Sequence, residues 1–270
     1  MLRVLSAAAA VLIASFGIAF AASEAEHPEN HPFSFESPLG AYDMGAVQRG
    51  FQVYNQVCAT CHSMDHLAYR HLGQEGGPFA LYMVRNHETG AMEPHVGKPE
   101  HGGTFVEVTD NPYVRAIAAA VTISDVDPNS GQMADRPGRI SDRFRRPFPN
   151  EIAARASNGG AYPADLSVIT SARHGGADYI RSLLIGYTGE VEGTLYHNRY
   201  FPGGKIAMPP PLVEGAIAYT DGSPTTVEQY ATDVTTFLQW AADPHMEARK
   251  RTGFVVLAFL LVLAGLLYLA

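Results

Sequence analysis

Two cysteines and a histidine lie within five consecutive positions of this chain of 270 residues. Cys58 and Cys61 are separated by two residues, and His62 directly follows the second cysteine. Two thiols about one helical turn apart can reach the two vinyl groups of one porphyrin, and the next imidazole then lies under the iron. The spacing C-x-x-C-H therefore predicts one haem c, attached covalently through two thioether bonds.

Other chemistries also use a C-x-x-C pair. A thioredoxin-like redox motif requires a βαβ setting, which the surrounding sequence lacks, and a zinc half-site requires a second pair of ligands. With 2 cysteines in the whole sequence, neither a four-cysteine metal site nor a disulfide-dense scaffold can form. A chance occurrence of the pattern is the remaining alternative, and haem attachment is the interpretation that the sequence favours.

A haem bound by His62 has a second axial position, which water, histidine or methionine can occupy. The chain has 8 methionines and 11 histidines. Met208 stands out because three prolines follow it at 209–211 and restrict the backbone, so this loop can present a thioether at a low entropic cost. We predict Met208 as the second ligand, with the histidines and three other methionines as competitors: Met83, Met92 and Met133.

The cysteines follow a predicted helix. Asp43 is a suitable N-cap for it, and apolar residues at helical spacing continue from Val47 to the cysteines, which places both thiols on the inward face. Further helical patterns occupy 112–121, 165–172 and 178–185. The last helix before the C-terminal apolar block has a Thr225-x-x-Glu228 capping box at its start and the break Asp243-Pro244 at its end.

The remaining stretches of the middle region are rich in Gly, Pro and polar residues. Residues 22–40 predict an extended arm over the surface, and 63–110, 128–150 and 187–224 predict loop insertions. The expected fold class is therefore mainly α: a c-type cytochrome helical core with long loop insertions, plus one C-terminal transmembrane helix.

Each end of the chain carries an apolar block. Residues 1–21 begin with a basic residue, continue in an apolar run and finish in Ala-Phe-Ala, which predicts a cleaved secretory signal peptide; an uncleaved N-terminal anchor is the alternative. Residues 253–270 carry no charge and span about 27 Å as a helix, close to the hydrocarbon thickness of a bilayer. We predict a signal peptide at 1–21, an exported haem domain at 22–248 and a membrane anchor at 249–270.

The charge balance limits the partners of the exported domain. The net charge is -8, from 19 basic and 27 acidic side chains, so we expect no binding of nucleic acid. The basic residues 249–251 precede the anchor and, taken alone, would favour a cytoplasmic position. A secretory signal followed by more than 200 translocated residues determines orientation more strongly, so the haem domain is predicted on the periplasmic side of a bacterial inner membrane.

Several further motifs accompany the CATCH sequence, and together they are specific. The chain resembles the cytochrome c1 family, the membrane-anchored haem subunit of the cytochrome bc1 complex, in its bacterial form. The resemblance spans residues 33–270 and rests on motifs that occur in the family's order: RGFQVY at 49–54, ASNGGAYP at 156–163 with DLS at 165–167, ARHGG at 172–176, YFPG at 200–203, AMPP at 207–210 and FLQWAA at 237–242.

The resemblance implies a set of functional residues. Cys58 and Cys61 would bind the haem, His62 and Met208 would be its axial ligands, and Arg173 would pair with a haem propionate. It also implies a haem pocket lined by six residues: Asn158, Pro163, Tyr179, Leu183, Phe201 and Ile206. Ala164 stands where the family often has a second proline, and the extra cysteine pair of some members is absent here.

The implied function is a relay of single electrons in a ubiquinol:cytochrome c oxidoreductase. This subunit, non-catalytic on its own, would take an electron from the Rieske iron–sulfur protein and pass it to cytochrome c, within a dimeric membrane complex that also contains cytochrome b. Acidic residues at 24–36 and 88–110 are candidates for docking a basic cytochrome c. The alternatives are a membrane-tethered cytochrome c that serves a terminal oxidase and an exported haem peroxidase with an open sixth position.

Overall fold

The computed structural model describes residues 25–99 and 102–270, so the predicted signal peptide at 1–21 lies outside the described residues. The described chain consists of helices around one apolar core, with short strands at the periphery and a long exposed helix after them. The expected fold class, mainly α with one long C-terminal apolar helix, is confirmed.

The core is centred on the crossing of two helices. Helix α1 (Met44–Gln56) has Asp43 as its N-cap, as predicted, and the cap side chain accepts a backbone N–H of the first turn. Helix α7 (Val227–Ala242) packs across α1 in the most extensive helix–helix contact of the described chain. Gly50 makes the close approach possible, because a Cβ at this position would collide with the carbonyl of Asp233.

Aromatic side chains fill this crossing. The ring centroid of Phe237 in α7 lies 5.7 Å from that of Phe51 and 5.6 Å from that of Tyr54, both in α1. Trp240 stacks on Phe237 with a centroid distance of 5.9 Å. All four rings are buried, and burial of such a side chain is worth about 1.5–3 kcal/mol. The cluster therefore stabilises the attachment of α1, which leads directly to the cysteines.

A buried ion pair joins the same two helices. Arg49 in α1 donates from Nε and Nη2 to the two carboxylate oxygens of Asp233 in α7, at 3.0 Å each. Its Nη1 donates to Asp221 at 2.8 Å. Asp233 is fully buried, so its charge depends on this guanidinium for compensation.

Five shorter helices surround the crossing. In chain order they are α2 (Tyr69–Gly73), α3 (Pro112–Ala119), α4 (Glu151–Ser157), α5 (Ile169–Ala172) and α6 (Gly176–Ile185). The helical pattern at 112–121 is confirmed by α3. The helix expected at 165–172 is shorter than predicted, because the carboxylate of Asp165 accepts the N–H of Ser167 and forms a turn there.

The start of α7 also differs from the prediction. Thr226, and not Thr225, is the N-cap, and its hydroxyl accepts the N–H of Gln229 at 3.2 Å. The capping box predicted at Thr225 and Glu228 was therefore one position early. The end is as expected, since Asp243 is the C-cap and Pro244 follows it.

Three small antiparallel sheets lie in stretches predicted to be loops, apart from one strand at 122–126 for which no prediction was made, so the loop prediction was wrong in these places. Their strand orders are β2-β1-β3, β4-β5 and β6-β7-β8. The strands are β1 (Leu81–Arg85), β2 (Met92–Val96), β3 (Thr104–Phe105), β4 (Thr122–Val126), β5 (Met133–Pro137), β6 (Tyr187–Glu192), β7 (Leu195–Asn198) and β8 (Lys205–Ile206). Most of their residues are exposed, so they lack the apolar alternation that identifies a half-buried strand.

The described part of the predicted extended arm, residues 25–40, lies across the domain. Its Phe33 and Phe35 rings stack at a centroid distance of 4.9 Å and are buried. Three backbone N–H groups of the arm donate to the domain at 2.9 Å, in the pairs Glu26 to Arg199, Glu29 to Ser182 and His31 to Asp178. The arm is therefore fastened to α6 and to the segment after β7.

The long C-terminal helix α8 (Met246–Leu269) has 24 residues, a mean hydropathy of 2.5 over its apolar window and no burial of that window against the domain. It is long and apolar enough to cross a membrane. The ammonium group of Lys250, in its second turn, donates to three carbonyl oxygens of the arm: Phe35 at 2.5 Å, Ser37 at 2.8 Å and Gly40 at 3.2 Å. The arm and the base of α8 are thus joined.

Candidate haem-attachment site

The cysteines lie just beyond α1. The helix ends at Gln56, and Cys58–Thr60 forms a single 3-10 turn, so the expectation that both thiols continue the inward face of one helix was wrong. The tighter turn is closed by the carbonyl of Cys58, which accepts the N–H of Cys61 at 3.1 Å and that of His62 at 2.9 Å. The carbonyl of Cys58 therefore connects the three residues of the C-x-x-C-H pattern.

Both thiols are free and half-buried. Cys58 packs against the apolar core, and burial raises the pKa of its thiol to about 12. A neutral thiol in apolar surroundings fits a residue that would form a thioether bond to a porphyrin, because the sulfur of a thioether carries no charge.

The imidazole of His62 is oriented by a backbone group. Its Nδ1 lies 2.7 Å from the carbonyl oxygen of Ala164. A carbonyl only accepts, so Nδ1 carries the proton and Nε2 keeps its lone pair. Burial lowers the pKa of His62. This hydrogen bond and the negative charge of Asp165 act to raise the pKa but do not reverse the shift. The side chain is thus a neutral imidazole with Nε2 available, the form that binds a metal.

A polar cluster fixes the segments on both sides of this hydrogen bond. We call it the Asp165 cluster; its members are Ser63, Asp65, Asp165 and Ser167. Asp165 accepts the hydroxyl of Ser63 at 2.7 Å, the N–H of Asp65 at 2.8 Å and the N–H of Ser167 at 2.9 Å. Asp65 in turn receives two hydrogen bonds of 2.7 Å from Arg146. The chain after His62 is therefore held against the chain after Ala164.

Met208 lies two residues after β8 and is half-buried. Its carbonyl accepts the hydroxyl of Tyr187 at 3.0 Å, and burial raises the pKa of that phenol. Asn198 secures the start of the same loop: its N–H donates to Gly204 and its side-chain amide donates to Leu183, at 2.9 Å and 2.8 Å. The loop is therefore hydrogen-bonded at Gly204 and at Met208 itself, and the assignment of Met208 as an axial ligand stays a prediction.

The other predicted pocket residues are distributed over several elements and the segments between them. Ile206 is buried in β8, whereas Tyr179, Leu183 and Phe201 are half-buried. Pro163 lines a cavity together with Cys61 and the Asp165 cluster residues Ser63 and Asp65. Asn158 is the C-cap of α4, and its side-chain amide donates to Ala154 at 2.7 Å.

Arg173 is exposed, and its Nη1 donates to the carbonyl of the preceding residue at 3.3 Å. It lies at the C-terminal end of α5, and its charge acts on the phenol of Tyr179, another predicted pocket residue. The predicted pairing of Arg173 with a propionate stays a prediction.

The residues present fit a covalently bound haem. The donor set consists of two free thiols in one turn and an imidazole whose Nε2 is left available by a hydrogen bond at Nδ1. Sequence reasoning missed Ala164 and Asp165 as orienting groups. No sequence signal could have identified Ala164, because its backbone carbonyl is the group that orients the imidazole. The pattern Asp165-x-Ser167 did carry a signal, since an Asp side chain in such a pattern often accepts nearby backbone N–H groups.

This helical core, the C-x-x-C-H turn and the long exposed apolar helix among the described residues are the features of the class of membrane-anchored c-type cytochromes. Residues 33–270 match the model of the cytochrome C1 family. The chain belongs to the cytochrome C1 family, as the motifs predicted.

Related proteins support this membership. The chain is 42% identical to "Cytochrome b/c1" of Bradyrhizobium diazoefficiens over 98% of its own length, which is 38% of that longer protein. It is also 42% identical to "Cytochrome c1-2, heme protein, mitochondrial" of Solanum tuberosum, over 88% of this chain and 83% of the relative. The corresponding Saccharomyces cerevisiae protein is 39% identical over 86% of this chain and 67% of its own length.

Proposed function

We propose that this chain is the cytochrome c1 subunit of a ubiquinol:cytochrome c oxidoreductase and relays one electron at a time through a single haem c. The observation that carries the proposal is the turn in which Cys58, Cys61 and a pre-oriented His62 share one carbonyl acceptor. When bound, haem c would supply a one-electron iron couple.

The residues of the chain would have distinct parts in this relay. Cys58 and Cys61 would fix the ring covalently, and His62 Nε2 would bind the iron from one side. Ala164 would keep the imidazole in one tautomer, so that no reorientation accompanies a change of charge. Met208 would supply the second ligand, and a thioether there favours the reduced state and raises the potential. Bonds are neither made nor broken in the subunit.

The proposal extends to donor, acceptor and location. The donor would be a Rieske iron–sulfur protein and the acceptor a cytochrome c, within a dimeric complex that contains cytochrome b. The name of the Bradyrhizobium relative, "Cytochrome b/c1", supports association with a cytochrome b. The predicted signal peptide and the exposed apolar helix support a domain on the periplasmic side of a bacterial inner membrane, anchored by one pass.

The acidic surface supports a basic acceptor. Within the segment 88–110, the strand β2 and the turn before it expose Glu88 and Glu93 to solvent. In the arm, Glu29 accepts the hydroxyl of Tyr200 at 3.0 Å and is also exposed. Both candidate docking regions therefore offer exposed acidic charge for steering a partner.

A redox titration of the haem α-band in membranes tests the relay. We expect a low-spin, six-coordinate haem in the wild type, and a potential lower by a few hundred millivolts in Met208→Leu, within the span of about 0.8 V that axial ligands can produce. Met83→Leu, a half-buried methionine of β1, is the matched control and should leave the potential unchanged. An unchanged potential in Met208→Leu would remove Met208 as ligand and favour the open-site peroxidase.

Association distinguishes the remaining alternative. After mild detergent extraction, the chain should co-purify with cytochrome b and a Rieske protein. A haem protein with the expected potential that is extracted alone would instead favour the tethered cytochrome c that serves a terminal oxidase.

A further inference from the structure

Asp165 is placed to act on the candidate ligand His62 without touching it. Its carboxylate accepts the hydroxyl of Ser63, the residue that follows His62. This hydrogen bond connects the chain after His62 to the segment that begins with Ala164, the residue that precedes Asp165. The imidazole-to-carbonyl hydrogen bond spans the same two segments. A second backbone bond, from the N–H of Leu166 to the carbonyl of Ser63 at 2.9 Å, completes the connection. Movement of either segment would therefore change the orientation of the imidazole.

The charge of Asp165 is not neutralised by a cation in direct contact. The groups that donate hydrogen bonds to it are neutral hydroxyl and backbone N–H groups of Ser63, Asp65 and Ser167. The nearby Arg146 instead binds Asp65 through both of its donor nitrogens. Burial alone would raise the pKa of Asp165, but these hydrogen bonds lower it, so the group is a carboxylate at neutral pH.

This negative charge acts on the ligand. Asp165 directly follows Ala164, whose carbonyl oxygen lies 2.7 Å from the imidazole. A negative charge in this position favours positive charge on the ring and on a metal bound to it, and so would stabilise the higher oxidation state of that metal. The carboxylate would thus lower the potential of the iron, whereas the thioether of Met208 would raise it.

We propose that Asp165 is a positioning residue that, through the Asp165 cluster, fixes His62 against Ala164 and lowers the midpoint potential of the haem. The inference rests on the proposed function, because it assumes a haem iron bound at His62 Nε2. It assigns to the Asp-Leu-Ser motif a part in setting the potential, in addition to its part in the turn before α5.

The test compares two substitutions with opposite expected signs, in the full chain in membranes. Asp165→Asn removes the charge and keeps the shape, so the potential should rise; we expect about a tenfold shift of the ferrous-to-ferric ratio at fixed ambient potential, equal to about 59 mV for one electron. Ser63→Ala removes one donor and keeps the carboxylate, which is then less compensated, so the potential should fall.

Two controls accompany these variants. Asp142→Asn makes the same change of net charge at the base of the β4-β5 sheet and should leave the potential at the wild-type value. Asp165→Glu keeps the charge and should restore most of the wild-type potential. In every variant the α-band of a covalently bound, six-coordinate haem should persist, because the ligands are unchanged.

The outcomes separate this inference from the proposed function. If Asp165→Asn and Ser63→Ala both keep the wild-type potential, or both shift it in one direction, Asp165 has only a structural part and the inference is overturned. If Asp165→Asn does not load haem, the downward shift in Ser63→Ala alone supports the inference, and its absence overturns it. A wild type without covalent haem would instead refute the proposed function.

Discussion

At the scale of single residues, the candidate site depends on backbone acceptors. The carbonyl of Cys58 closes the turn that contains both thiols, and the carbonyl of Ala164 orients His62. A side-chain substitution cannot remove either group. We therefore expect the residues between the cysteines to tolerate change, while the thiols themselves do not.

The first prediction concerns the number of thioether bonds. Cys61→Ala leaves one thiol to react, so one vinyl group stays conjugated with the ring and the α-band of the pyridine haemochrome moves to longer wavelength. Absorption spectroscopy of the purified protein measures this shift. Thr60→Ala is the control: the Thr60 hydroxyl donates to Val57 at 2.6 Å and lies 3.7 Å from the sulfur of Cys61, and its removal leaves both thiols able to react. A wild-type spectrum in Cys61→Ala would contradict two-point attachment.

The residues that can be predicted from sequence are those whose own atoms would carry the chemistry. The two thiols and the imidazole could be predicted because their types and spacing are specific, and Met208 because prolines restrict its loop. Residues that act through backbone groups have no characteristic type or spacing in the sequence, as Ala164 shows. Prediction from sequence therefore named candidate ligands and missed the backbone group that orients one of them, His62.

At the scale of elements, the junction of α1 and α7 combines apolar packing with one buried ion pair. We predict that Arg49→Met lowers the free energy of unfolding by about 3–5 kcal/mol, because it leaves the buried carboxylate of Asp233 without its partner. Chemical denaturation of the full chain in detergent, followed by far-ultraviolet circular dichroism, measures the change.

The matched control is Arg155→Met, which breaks the exposed pair of Arg155 with Glu151 within α4. Such a pair is worth about 0.3–0.5 kcal/mol. The double variant Arg49→Met, Asp233→Leu should recover part of the lost stability, since it removes the unpaired charge. Equal losses in Arg49→Met and Arg155→Met would show that the buried pair contributes little.

The β4-β5 sheet should open in acid. Hydrogen bonds from Arg136 to both carboxylate oxygens of Asp142, at 2.7 Å and 3.0 Å, lower the pKa of this group from its ordinary 3.8. The pKa is lower in the folded protein, so the stabilisation is complete above about 3.8 and is lost as pH falls through the folded value. The methyl NMR signal of Met133 in β5 should then report exchange.

Arg136→Gln is the comparison for this prediction. Without the guanidinium, the pKa of Asp142 loses the strongest of the influences that lower it and keeps only the effects of the N–H and the charge of Arg139, so the Met133 signal should report a looser sheet already at neutral pH and less further change in acid. A wild-type acid response in Arg136→Gln would show that another group controls the opening.

The elements that sequence predicted well are those with one buried face. Helix α3 follows from its helical pattern, and α1 begins at the predicted cap. The length of α1 was overestimated, because Cys58 still packs against the apolar core although the helix has already ended before it. The exposed sheets were missed for the opposite reason: β4 and β5 are paired through their backbones, and few of their side chains are buried.

At the scale of the whole molecule, the arm connects distant parts of the chain. We predict that Lys250→Met releases the turn at 35–40 from α8, because three carbonyls lose a charged donor. Hydrogen bonds to charged groups are worth about 1.5–3 kcal/mol. Chymotrypsin should therefore cleave after the exposed Leu39 at least about tenfold faster than in the wild type.

Arg251→Met, which changes an exposed neighbour on α8, is the control and should leave the cleavage rate unchanged. The assay is made on the full chain in detergent, so that the helix stays solvated. If both variants are cleaved at the wild-type rate, the arm is retained by its aromatic contacts and not by Lys250.

The long sequence separation of the arm's contacts has a consequence for the order in which the domain folds. The partners of Glu29 and Phe35 follow them by 153 and 215 residues. If the chain crosses the membrane from its N-terminal side, the arm arrives first and must wait for its partners, and such non-local contacts form late. Cys58 and Cys61 are translocated within that interval. Haem attachment can thus take place while the domain is still open, and docking of the arm would close the folded domain afterwards.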